Sequence, residues 1–236
     1  MAKSRKTDRD SGRRNPAPPL PLPDQIASEL SAEILEGSYA PGAPVREQNL
    51  AARFETSRGP VREALRILER DQLIQMPPRR SARVVKMSHG EIAESFDIRA
   101  ALFSMTAATA ASVVVDEDVD GLSRSMRQVA EAIGRGEDPE VAGETACQAL
   151  TEVSGNRKAG DILRTLERQC RLQYRSLAPL GRQTKVQIVA TWQGLADAFE
   201  AGDADTVGKV ATRLMALLQE AAYSALERAG RGKTDA

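Results

Sequence analysis

Apolar side chains recur every three or four residues along most of this 236-residue chain, which predicts helices. Ile26, Leu30 and Ile34 mark the first, with Asp24 as its N-cap and Gly37 as its stop. Tyr39-Ala40-Pro41-Gly42 is a turn. A short helix over 46–54 should bury Leu50, Ala51 and Phe54. Ser57 caps the next helix, Pro60 sits in its first turn, and Val61, Leu65 and Leu68 form its inner face. Two β-prone pieces, 73–76 and 82–85, flank Pro77-Pro78-Arg79-Arg80-Ser81 and predict a two-stranded wing.

From Ser88 onward the pattern is helical throughout. Ser88-x-x-Glu91 is a capping box, and Ile92, Phe96, Phe103, Ala107 and Ala110 share a stripe behind it. Further helices are expected over about 117–133, 140–153, 159–177, 185–201 and 204–229. The fourth of these six places Ile162, Leu163, Leu166, Cys170, Tyr174 and Leu177 on one face. The last has Val207, Val210, Leu214, Leu217, Ala221 and Ala225 near heptad spacing. The fold class is therefore mostly α: an N-terminal winged helix-turn-helix over 24–86, and an antiparallel helical bundle over 87–230. Residues 1–23 and 231–236 read as tails, the first basic and proline-rich. That leader is either solvated disorder or an arm adding nonspecific attraction to phosphate.

Composition sharpens this picture. The chain has 41% hydrophobic residues, enough for a core, and only 3% aromatic ones, few for a sandwich or barrel. Net charge is zero, but 1–86 carry 16 Lys+Arg against 11 Asp+Glu, while 87–236 carry 17 against 22. A basic half joined to an acidic one suggests that only the first meets a polyanion. Two cysteines make no disulfide framework, which points to a reducing, cytoplasmic setting. No apolar run reaches a membrane span and no secretory signal is visible, so no membrane partner is expected. One histidine, His89, with two cysteines cannot build a zinc site. No nucleophile with a neighbouring base and no phosphate loop supports an enzyme.

In a helix-turn-helix the second helix enters the major groove N-terminus first. That end carries Ser57 and Arg58, with Arg62 one turn on and Arg66 beyond, and arginine forks read guanine edges. Arg79 and Arg80 at the wing tip can reach a phosphate or the minor groove. Double-stranded DNA is thus the expected partner.

The segments 34–42, Leu50-Ala51-Ala52-Arg53-Phe54 and, above all, Ser57-Arg58-Gly59-Pro60-Val61-Arg62-Glu63-Ala64-Leu65 resemble the winged helix of the GntR family of bacterial transcription regulators. The helical remainder, with Ile98-Arg99-Ala100-Ala101-Leu102 and Ser154-Gly155-Asn156, resembles the FCD effector domain of its FadR-like subgroup. The resemblance implies a homodimer on a near-palindromic operator, tuned by a small-molecule effector, and places Ser57, Arg58 and Arg62 at the DNA. Ser81 stands where relatives usually have glycine.

Many FCD domains hold a divalent metal through one aspartate and three histidines. Alignment on Ser154-Gly155-Asn156 puts the aspartate at Gly143 and one histidine at Cys147; the pattern around the later Gly-Asp turn puts another at Trp192, and the third falls on Leu214 of the last helix, so the resemblance carries no metal site and no cofactor into this chain. Cys147, Trp192 and Leu214 then either fill the former cavity as core or line an apolar pocket. Arg99 lies on a buried stripe between Phe96 and Phe103, so it must be paired or face a ligand. A carboxylate effector would suit its fork; an acidic residue on a facing helix would serve equally. Arg99, Cys147, Asn156, Trp192 and Leu214 are the effector-site candidates. A bundle that only dimerises, without a ligand, is the alternative.

Overall fold

Helix periodicity accounts for most elements in the structure, a computed structural model that describes residues 20–174 and 181–231. Helix α1 (Leu22–Glu36) buries Ile26, Ala27, Leu30 and Ile34. It starts two residues earlier than Asp24, with Pro21 at the N-cap, because prolines are tolerated in a first turn. Gly37, at φ +88°, stops it: the Gly37 and Ser38 N–H groups donate back to Ile34 and Glu33 carbonyls. Helices α2 (Glu47–Arg53) and α3 (Arg58–Arg70) follow. Leu50 is buried in α2, but Ala51 and Phe54 are only half-buried, since one short helix turns a single residue fully inward.

The wing has three strands rather than two. β2 (Ile74–Gln75) and β3 (Ala82–Val84) pair antiparallel, and β1 (Pro44–Val45) pairs with the other edge of β3. Two residues are too few to leave a periodicity, so β1 escapes a pattern search. Pro44 fits there because an edge strand does not need every N–H. The sheet closes the first core, in which Val45, Ala82, Val84 and Ile74 pack on Leu30, Leu65 and Leu68.

The bundle consists of α4 (His89–Val113), α5 (Asp116–Arg135), α6 (Pro139–Val153), α7 (Arg157–Tyr174), α8 (Arg182–Glu200) and α9 (Ala204–Arg231). Helix α4 packs along α9, and α5 along α8. Gly208 makes the α4–α9 crossing close: a Cβ there would meet Ser104 Oγ at 3.3 Å and Ala108 Cβ at 3.4 Å. The buried stripe of α9 departs from the heptad reading. Val210 and Ala221 are half-buried, while Ala211, Met215, Leu218 and Ala222 are buried, because α9 packs on α4 and α8 together. On α7, Ile162 is exposed; Leu177 and the Tyr174 side chain fall outside the described residues. The tails 1–19 and 232–236 also lie outside them. No helix among the described residues is long and apolar enough to cross a membrane.

Helix α7 belongs to both cores. Its Cys170 is buried in the bundle, whereas Leu172 is buried among the winged-helix residues. Gln169 Nε2 donates to Gln72 Oε1 at 2.7 Å. Gln173 Nε2 donates to the Val85 carbonyl at 3.3 Å, and its Oε1 accepts the Met87 N–H at 3.0 Å.

At the junction, Ser88 Oγ accepts the Glu91 N–H at 3.2 Å and Glu91 returns a bond to the Ser88 N–H at 2.7 Å. Ser88→Ala should therefore cost about 1 kcal/mol and lower the melting temperature by roughly 2–4 °C. An unchanged calorimetric transition would show that the box contributes nothing to the fold.

Candidate functional site

The inner face of α3 is spent on Val61, Ala64, Leu65 and Leu68, which forces Arg58, Arg62 and Arg66 outward. Ser57 occupies the N-cap position, but its hydroxyl makes no capping hydrogen bond, in contrast to the expectation. It is exposed beside Arg58. Arg62 is gripped from α2: its Nε and Nη2 donate to the two Glu47 carboxylate oxygens at 3.1 and 2.9 Å. That bond holds the Glu47 carboxyl below its usual range. It also pre-orients the Arg62 fork on the exposed surface. Arg46, exposed at the N-cap position of α2, adds a cation next to Glu47. Sequence reading passed over it because it lies outside the recognition helix.

Other arginines are engaged structurally. Arg53 stacks over the Phe54 ring at 4.9 Å and pairs with Glu29 and Glu33, which ties α2 to α1. Arg83 donates to the Gly42 carbonyl at 3.0 Å. At the wing tip Arg79 and Arg80 are both exposed. The turn is built by Pro78 and by Arg79 at φ +61°, with the Arg80 N–H donating to the Pro77 carbonyl at 3.2 Å. This is type II geometry, which ordinarily favours glycine at the position Arg79 holds.

The second candidate site is a cavity of about 40 Å³ between α4, α6, α7, α8 and α9. Arg99 and Glu140 form its floor as a bidentate pair, with Nη1–Oε1 at 3.0 Å and Nη2–Oε2 at 2.6 Å, and side chains 5% and 4% exposed. Arg99 also lies over the Phe96 ring at 4.8 Å. The buried stripe thus resolves to a facing acid, and the fork expected for a carboxylate effector is occupied by Glu140. Glu144 lines the wall and accepts from Arg171 Nη1 at 3.0 Å. Glu167, also on the wall, makes no hydrogen bond or ion pair among the described residues. Burial, aided by the negative charge of Glu140, pushes its carboxyl up to about 8.

Cys147 and Trp192 line this cavity, but Leu214 and Asn156 do not. Leu214 is wholly buried in the bundle core. Asn156 is exposed at the start of α7, where its Oδ1 accepts the Ala159 N–H at 3.1 Å; a capping side chain points back to its own helix. Trp192 is 1% exposed and packs on Gly143, so closely that a Cβ on Gly143 would lie 2.9 Å from Cζ2. The indole therefore occupies the space that a side chain at position 143 would take. Its Nε1 is buried with no acceptor. Burial drives the Cys147 thiol well above its ordinary range, making it a poor metal ligand. Among the described residues no three His, Cys, Asp or Glu side chains converge as a metal cage. These residues do not fit the metal that the FCD resemblance brings to mind.

Glu140 and Glu167 are site residues that sequence reading missed. Only the buried Arg99 signalled that an acid must oppose it.

Comparison with known proteins agrees with both halves of the chain. Residues 22–84 match the family "Bacterial regulatory proteins, gntR family", and residues 94–217 match the FCD domain. The HTH-type transcriptional repressor RspR of Escherichia coli (strain K12) is 32% identical over 152 residues, 64% of this chain and 67% of that protein. A gluconate operon transcriptional repressor of Bacillus licheniformis is 33% identical over 105 residues, 44% of this chain and 43% of that protein. The solved structure of E. coli McbR/YncC superposes with a TM-score of 0.70 at 20% identity, covering 87% of this chain and 99% of that one, a likeness of fold. The chain belongs to the GntR family of bacterial regulatory proteins, with an FCD domain behind its winged helix, and is a transcription regulator rather than an enzyme.

Proposed function

We propose that the protein is a homodimeric, sequence-specific repressor acting on a near-palindromic operator in the bacterial cytoplasm, and that a small molecule in the cavity beside Arg99–Glu140 sets its DNA affinity without a metal. The observation that carries the DNA reading is the outward face of α3, where Arg58 and Arg62 stand on consecutive turns, with Arg79 and Arg80 on the wing tip. Arg62 reads a base edge by exchanging Glu47 for it. Similarity to proteins named as repressors favours repression over activation. For the dimer, Ile98 and Met105 are 47% and 44% exposed on α4, with exposed Ala101 between them. This apolar stripe suits a second copy of the chain. For the effector, α7 supports coupling, because it lines the cavity with Glu167 and enters the winged-helix core with Leu172. The packing of Trp192 on Gly143 favours a second reading, a ligand-independent regulator; an effector that shifts operator affinity excludes it.

Three outcomes test the proposal. Arg58→Ala or Arg62→Ala should weaken operator binding by roughly 5- to 150-fold in an electrophoretic or anisotropy titration. Intact affinity in both variants would show that α3 does not read the site. Met105→Glu with Ile98→Glu should convert a dimer to a monomer by light scattering at micromolar concentration. A dimer that survives both changes, or a wild-type monomer, contradicts the α4 interface. Elemental analysis should find no stoichiometric zinc, nickel or manganese, and a chelator should leave DNA binding unchanged. About one metal per chain, lost on Cys147→Ala, would overturn the metal-free reading.

A further inference from the structure

Two polar groups of the cavity's lining residues are left over once its internal pairs are made: the half-buried Glu167 carboxylate and the buried Trp192 indole N–H. On the acidic side, Glu140 is matched by Arg99 and Glu144 by Arg171, while Arg164, at the rim, pairs with Asp161 at 2.5 Å. Glu167 is the carboxylate with no counter-charge in contact among the described residues. On the donor side, the Trp192 indole N–H is sealed from solvent with no acceptor, and indole nitrogen can only donate. Both residues line the same space, Glu167 from α7 and the Trp192 ring from α8.

We infer that the cavity takes a small primary ammonium compound carrying one acceptor oxygen, with its cationic nitrogen at Glu167 and its oxygen on the Trp192 N–H. This rests on reading the cavity as the effector site, and it replaces the carboxylate expected from sequence. A carboxylate would have to take Arg99 from Glu140, leaving that acid buried without its partner. An ammonium group needs no such exchange. It meets the cavity acid left unmatched among the described residues, with Glu140 and Glu144 adding negative potential nearby. The volume, about 40 Å³, is room for roughly three waters, which suits a ligand of three or four non-hydrogen atoms.

The same arrangement dictates a pH dependence. Glu167 faces Arg99 from α4, Glu140, Glu144 and the Cys147 thiol from α6, Arg164 and Arg171 on its own helix, and uncharged Trp192, Met215 and Leu218 from α8 and α9. Its carboxyl keeps a proton up to about pH 8. An ammonium ligand binds the ionised form. Its binding therefore releases a proton below that pH and tightens as pH rises from 6 toward 8, approaching tenfold per unit at the acid end. A carboxylate ligand would meet the protonated acid across that range, so its affinity would stay level below pH 8 and fall above it.

Trp192 is the chain's single tryptophan, so intrinsic fluorescence reports on the cavity directly. The full-length protein is titrated with ethanolamine and with glycolate, a cation of four and an anion of five non-hydrogen atoms. Ethanolamine should saturate the Trp192 emission change, more tightly at pH 8 than at pH 6, and glycolate should not. Glu167→Gln should weaken ethanolamine at least tenfold, with exposed Glu117→Gln as the unaffected control. Saturation by glycolate instead, or by ethanolamine with no pH dependence and no response to Glu167→Gln, overturns the ligand class while leaving the cavity as the effector site. Saturation by neither compound overturns the cavity reading as well. The pH series on the wild-type protein decides the matter even if the variant does not fold.

Discussion

Helix α7 has to satisfy two cores at once, and the relation between the two halves of the molecule depends on it. Cys170 is fixed by the bundle and Leu172 by the winged helix, two residues apart on one rigid rod. Gln169 and Gln173 add hydrogen bonds to the Gln72 side chain, the Val85 carbonyl and the Met87 amide, at the end of α3 and in the segment leading to α4. Interiors are packed too densely to absorb a displacement gradually. A shift of α7 on the cavity side must therefore reappear where Leu172 meets the DNA-binding core. A helix shared by two cores is the kind of physical element that coupling between two sites requires.

The buried Arg99–Glu140 pair sets the chemistry of the cavity. Removing one partner from such a pair costs about 3–5 kcal/mol, because the other charge is stranded. That is far more than a new exposed contact returns, so the pair behaves as fixed structure. Trp192 and Gly143 constrain shape in the same way. The indole has taken the volume over Gly143, and alanine at 143 would collide with its ring. In the FCD comparison these positions look like two separate ligand losses; in the structure they are one complementary packing event.

Much of the fold was legible in the sequence because amphipathic helices and caps are local signals. Ser88 with Glu91 fixed the start of α4, and Ile26, Leu30 and Ile34 announced α1. Strand β1 was not legible, since Pro44 and Val45 acquire meaning only when Arg83 and Ala82 come alongside. The exposed arginines of α3 followed from its buried face, but the Glu47 grip on Arg62 joins two helices and could not be read from either. In the effector domain Arg99 betrayed itself as a charge on an apolar stripe. Its partner Glu140 is 41 residues away in a first helical turn, where acids are common for other reasons. Glu167 was hidden similarly: its Leu-Glu-Arg surroundings look solvated, and only the convergence of α6, α7 and α8 makes it a cavity wall.

The central claim is that α7 joins the cavity to the DNA face, and Trp192 emission during DNA binding tests it most directly. Duplex DNA selected for tight binding from a random pool would be added to the wild-type protein and to a Gln169→Ala, Gln173→Ala double variant. These amides are the better choice than Leu172, whose truncation would cost about 2–5 kcal/mol of core packing and confuse uncoupling with unfolding. Coupling predicts a saturable change in Trp192 emission on DNA binding to the wild type, and loss of most of that change in the variant while its DNA affinity is retained. Emission that stays constant through saturation of the wild type, or a change that persists undiminished in the variant, would contradict it.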